Sequence, residues 1–197
     1  MSQSSAHPSL CPPRHGHPPD GGGAPPPSRV LLDLHEYVAD RENFTSAYGT
    51  MSNGEAIRVT FCTAPPPLVS YICVWCPNLP PTKLVMEPTI EAAEADLVHF
   101  RVSLRAYSSL CDYFVYKAPS GGKGPSLSRL EKPDRYPPYG NCIALLAQRE
   151  VGDIRPHVED DGHCYLAALN HDMSRLGNFN LLLHNFMDKK WSSTPFL

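Results

Sequence analysis

Cys73 and Cys76 stand three apart in Tyr71-Ile72-Cys73-Val74-Trp75-Cys76-Pro77. That spacing serves a redox dithiol or half of a zinc site. The first use needs the leading cysteine at a helix N-terminus, where the dipole favours the thiolate. The second needs a tight turn and two further ligands. The run offers neither. It is rich in β-branched and aromatic residues, and Pro77 disfavours helix at Cys76. Along an extended strand, residues three apart point to opposite faces. The two sulfurs are therefore expected to point apart and to pack as inert thiols.

Two other stretches invite chemistry. Ser120-Gly121-Gly122-Lys123-Gly124-Pro125-Ser126 looks like a phosphate loop, but the working version runs from Gly-Lys-Ser/Thr into a helix. Here glycine and proline follow the lysine and a strand pattern comes next, so a hairpin loop is expected. His157-Val158-Glu159-Asp160-Asp161-Gly162-His163 concentrates metal-capable groups. It lacks the alternating ligands and distal glutamate of a calcium loop, and reads as a solvated acidic loop. No Gly-x-Ser-x-Gly elbow occurs, and His35, His99, His171 and His184 sit in unrelated contexts. No catalytic, cofactor-binding or metal-ligating residue is assigned, and no cofactor is expected.

The elements around these residues are short apolar runs cut by turn residues. Ser52-Asn53-Gly54-Glu55 predicts a tight hairpin whose Asn-Gly pair takes the two positive-φ positions. Ile57, Val59 and Phe61 alternate with polar residues beyond it. Pro65-Pro66-Pro67 separates that strand from Leu68–Cys76. Val98, Phe100, Val102 and Leu104 alternate with His99, Arg101 and Ser103, the mark of a half-buried strand. Ile90–Ala95 reads as an edge strand although its residues are helix formers. Further strands are predicted at 113–117, 126–130, 142–147, 164–169 and 179–186, with a short one at Trp191. Cys142–Ala147 reads as an inner, fully buried strand, and the last four runs as one meander resembling a propeller blade. The pattern predicts an all-β domain, propeller-like or sandwich-like, and most simply an open, incomplete β-propeller.

Composition narrows the rest. The chain has 197 residues, 42 % hydrophobic and 19 % charged, with a net charge of −3. Nucleic-acid binders carry a basic stripe, and Lys189-Lys190 is the one local cluster, so no nucleic-acid partner is expected. Residues 1–28 hold eight of the 22 prolines, three glycines in a row and His7, His15 and His17. Such a segment buries too little apolar surface to offset its ordering entropy, and it predicts a disordered tail, with residues 29–197 as the all-β domain. Neither a signal peptide nor a membrane-spanning run is visible. The expected compartment is cytoplasm or nucleus, where seven scattered cysteines stay free thiols.

Several runs carry a family likeness: Arg29-Val30-Leu31-Leu32-Asp33, Tyr37-Val38-Ala39-Asp40-Arg41, Pro65-Pro66-Pro67-Leu68-Val69-Ser70-Tyr71 and Cys76-Pro77. Glu94-Ala95-Asp96-Leu97, Asp112-Tyr113-Phe114-Val115-Tyr116, Pro125-Ser126-Leu127, Tyr165-Leu166-Ala167-Ala168-Leu169 and Trp191-Ser192 extend it over most of 29–197. As a set they resemble the plant family called domain of unknown function 1618, expanded in grasses, specifically its N-terminal half. The resemblance implies no activity, cofactor or site residue. Three functions are weighed. The first is a non-catalytic protein-interaction β domain, supported by a contiguous apolar surface and able to self-associate through an exposed strand edge. The second is a hydrolytic or metal-dependent enzyme built on His157, Asp160, Asp161 and His163. The third is a truncated paralogue without activity. The first is favoured.

Overall fold

The computed structural model describes residues 10–15, 29–80, 84–104, 111–120, 122–131, 143–147, 164–171 and 178–196. The chain is all-β, with thirteen strands and no α-helix among those residues. The strands form three sheets. Contacts divide the chain into two compact units, Met1–Ile90 with His99–Leu130, and Glu91–Val98 with Glu131–Leu197.

In the first unit, β3 (Ala47–Thr50), β4 (Ala56–Cys62) and β5 (Val69–Trp75) form an antiparallel meander. β1 (Leu31–Leu32) and β2 (Tyr37–Val38) both lie parallel to β5 along its far side. The register sets Val59 opposite Val74 and Phe61 opposite Ile72, so the apolar half of each alternation shares one face. Ile57, Val59, Ile72 and Val74 are all buried there.

The hairpin between β3 and β4 is not the expected two-residue turn. Met51 N–H donates to Glu55 O at 2.9 Å and Gly54 N–H to Met51 O at 3.0 Å, leaving three residues in the loop. Gly54 alone takes a positive φ, at 86°. Asn53 instead uses its side chain, accepting from Glu55 N–H at 3.0 Å, a role asparagine fills without the left-handed backbone.

The second sheet runs β6 (Leu84–Glu94), β7 (Leu97–Leu104), β8 (Cys111–Lys117), β9 (Ser126–Leu130) in sequence order. The 90–95 stretch is strand, as its flanks predicted, because β6 extends through it before turning at Ala95 (φ 54°). β7 departs from the expected half-buried pattern. His99 and Ser103, on its polar alternation, are buried along with Phe100 and Val102. β7 lies between β6 and β8, and the ring of His99 stacks on that of Tyr113 at 5.8 Å. Alternation in sequence reports polarity, and here both faces are covered.

Within the first unit the two sheets share a core. Phe100 and Phe114 stack at 5.5 Å, and Tyr116 meets Phe61 edge-on at 6.4 Å. Tyr116 Oη donates to Thr45 O at 2.8 Å, so its buried hydroxyl is satisfied. Ser52 donates both its N–H and its hydroxyl to Asp112 Oδ2, at 2.8 and 3.0 Å. Where β3 approaches β9, a Cβ on Gly49 would stand 3.0 Å from Leu127 Cδ2. Leu127 would have to give by a few tenths of an ångström to admit a side chain there.

The second unit contains β10 (Ile143–Ala147), β11 (Cys164–His171), β12 (Phe179–Asn185) and β13 (Lys190–Phe196), an antiparallel meander in chain order. Leu145, Leu166, Ala168, Leu182 and His184 share the buried face. Trp191, paired with His184, lies on the same side; the two rings are 5.0 Å apart, and Trp191 Nε1–H donates to Glu131 O at 2.7 Å. β13 is an edge strand among the described residues, and Pro195 sits in it opposite Asn180. Proline is tolerated in a ladder where its missing N–H faces away from the partner strand.

Candidate functional site

The cysteines of the opening motif have different neighbours. Cys76 is buried just beyond β5, with its thiol 3.7 Å from Met51 Sδ, and burial pushes its pKa up to about 11. Cys73 lies on β5 in a buried cluster with Cys62 and Tyr71, flanked by Tyr37 and Ala39. Both are free thiols, as are Cys11, Cys62, Cys111 and Cys164.

The pair that does meet is Cys62 and Cys73. The β4–β5 register sets Cys62 opposite Tyr71 and Cys73 opposite Thr60, so the two cysteines are diagonal neighbours on one face. Their side chains pack together in one buried cluster with Tyr71. The neighbouring Cys73 thiol holds Cys62 below the usual thiol range, while Cys62 and burial push Cys73 up. Burial, with Cys62 nearby, also raises the Tyr71 hydroxyl. Both thiols are buried, so the chemistry available is that of a water-excluded pair. Sequence spacing cannot reveal it, because the partners come from separate strands and meet only once their register is known.

Part of the N-terminal segment closes over this face. Tyr71 Oη lies 2.8 Å from Pro13 O and 2.7 Å from His15 O, and His15 Nε2 lies 2.9 Å from Val69 O. Residues 10–15, within the stretch expected to be a disordered tail, are thus tied to β5. Tyr71 is fully buried, and a buried hydroxyl needs acceptors. The backbone of this segment supplies them.

The other stretches fare differently. Ser120 and Lys123 exchange backbone hydrogen bonds of 3.2 and 3.0 Å, Gly122 has φ 81°, and β9 follows at Ser126. The lysine loop is a hairpin connection between β8 and β9, with no helix start to cradle phosphate. His157, Asp160, Asp161 and His163 lie outside the described residues, as does Cys142. Among the described residues, no three His, Cys, Asp or Glu side chains converge as metal ligands, and no helix is long and apolar enough to cross a membrane.

The largest chemical contrast is on the β10–β13 sheet. Cys142–Ala147 was expected to be fully buried. Instead β10 buries Leu145 while Leu146 is 49 % exposed. Residues on the same side as Leu146 are apolar through the middle of three strands, with Asn185 on that side opposite Tyr165 at one end. Tyr165 stands opposite Leu146, Ala144 pairs with Ala167 and Ala167 with Leu183, and Leu169 pairs with Leu181. Leu169 and Phe179 are each 36 % exposed. On β13 this side carries Lys190, Ser192 and Thr194, while Phe196 pairs with Phe179 at the end of the strand. Alternation is lost in β10–β12 because both sides are apolar, and a run such as Ile143–Ala147 reads identically whether one side or both are covered.

Comparison of the chain with family models, curated proteins and solved structures gives no match.

Proposed function

We propose that the protein is a non-catalytic protein-interaction module that docks a partner on the open apolar side of β10–β12. The observation that carries this reading is the row Leu146, Leu169 and Phe179, exposed beside Ala144, Tyr165, Leu181 and Leu183. Contiguous exposed apolar surface of this kind marks binding sites. Full burial of each large side chain would supply about 1.5–3 kcal/mol before association costs are counted. The polar strip on β13 forms a rim, the usual boundary of a docking surface.

The finer architecture we infer is propeller-like: an open array of blade-like sheets. Its support is that β3–β5 and β10–β13 are antiparallel meanders and that two of the three sheets run four strands in unbroken chain order. Membership in the domain of unknown function 1618 family belongs to the same proposal and rests on the sequence runs quoted above. A reducing compartment, cytoplasm or nucleus, fits the free state of the six described cysteines. Self-association through a strand edge is the less favoured route, because β13 carries Lys190 and Pro195, residues that blunt edges.

The test is a paired substitution, Leu169→Asp with Phe179→Asp, in the full chain. A partner recovered from extract and then purified should bind the wild-type chain saturably and lose at least about tenfold in affinity for the variant. Equal affinity, or the absence of any saturable partner, would end this reading.

A further inference from the structure

We propose that the face formed by Tyr37 on β2 and Tyr71 on β5 is a recognition site, or notch, for proline-rich peptide, and that Leu10–His15 of this chain is its resident ligand. Tyr37 meets Tyr71 edge-on at 5.3 Å, and the His15 ring meets Tyr71 from another side at 5.9 Å. The Tyr71 hydroxyl is the donor shared by Pro13 O and His15 O, and His15 Nε2 reaches back to Val69 O. Aromatic rings plus a hydroxyl aimed at backbone carbonyls are what proline-rich ligands use. An extended proline-rich backbone makes no internal hydrogen bonds, so its carbonyls are available; here Pro12 and Pro13 lie between bends at Cys11 and at Arg14–His15, and their rings lose little freedom on docking.

The notch continues past its resident. Leu31 and Val69 are parallel neighbours on the same side of the sheet, and they remain 50 % and 39 % exposed, with adjoining Leu68 at 46 %. Leu10–His15 therefore leaves an apolar shelf uncovered, where a longer proline-rich segment of another molecule has more to bury. The resident acts as a tethered competitor: an incoming peptide must displace it. This site lies within the first unit and is independent of the β10–β13 reading.

The probe is an acetylated, fluorescently labelled peptide in the order Leu, Ser, Pro, Pro, Ala, His, with serine and alanine standing in for Cys11 and Arg14. Fluorescence anisotropy compares the wild-type chain with a full-length variant carrying Pro12→Gly, Pro13→Gly and His15→Ala, which loosens the resident and leaves the notch intact. Because the resident belongs to the same chain, its competition is intramolecular, so the variant should bind the probe saturably, one to one, and about tenfold more tightly than wild type. Adding Tyr71→Phe should abolish that gain; Tyr37→Leu serves the same purpose if the Tyr71 substitution unfolds the chain. Trypsin should also cut after exposed Arg14 faster in the loosened variant. Equal affinity in variant and wild type, or no saturation at millimolar probe, would overturn the proposal.

Discussion

The two units solve the same packing problem differently. In the first, β5 is covered on both sides: Ile72 and Val74 face the shared core, while Tyr71 and Cys73 lie beneath Tyr37 and Ala39, and the Tyr71 hydroxyl is held by the backbone at Pro13 and His15. In the second, β10–β12 have apolar residues on both sides but cover one, leaving Leu146, Leu169 and Phe179 exposed. The contrast separates residues that hold the fold from residues free to do something else. Deletion should be costly where both sides are covered and cheap where one is open.

The largest effect belongs to the first unit. Phe114 is fully buried and stacked on Phe100, and Phe114→Ala should cost about 3–5 kcal/mol through lost transfer energy and the cavity left behind. Urea unfolding measures it, and a loss under about 1 kcal/mol would mean that this core is looser than its contacts imply.

Acid comes next. Burial, with a smaller contribution from Arg101, lowers the His99 pKa from 6.5 to about 3. The folded chain keeps this ring neutral while the unfolded chain protonates it below 6.5. Its contribution is thus fully present above pH 6.5 and is lost as pH falls toward 3, on the order of 5 kcal/mol across the window. His184 in the second unit is also lowered by burial, but Glu131 acts against the shift. Hydrogen exchange should therefore show β8 amides losing protection in acid before β12 amides, and His99→Gln should flatten the acid limb. An unchanged limb in that variant would show that another group controls it.

A smaller cost attaches to Gly54. Its φ of 86° lies where side chains are strained, yet nothing stands within 4 Å of an added Cβ. Gly54→Ala should then lose only the backbone term, about 1 kcal/mol, read as a shift in thermal midpoint. Smallest of all, Leu169→Ser on the open side should change stability by no more than about 0.5 kcal/mol. A cost as large as that of Phe114→Ala would erase the distinction between the two units.

Much of the strand pattern was legible from the chain. Turn residues punctuate it, and the 90–95 stretch, the lysine loop and the closing meander follow from local sequence. What escaped was non-local. The burial of His99 depends on neighbours that lie on other strands, and the Cys62–Cys73 contact depends on register. The exposure of Leu146 is invisible in a run of apolar residues, since sequence reports what a side chain prefers and not whether the rest of the chain supplies a cover. The hairpin at Asn53-Gly54 shows the same limit at short range. The dipeptide marked the turn, but Ser52, bonded to Asp112 sixty residues on, sits in a wider loop.

Pro195 has one further consequence. A newcomer strand laid along β13 would meet a missing rung at that residue, and the charge of Lys190 lies near the other end. Heat-stressed material should accordingly clump through its greasy flank into amorphous precipitate, dye-negative for amyloid, instead of zipping into fibrils.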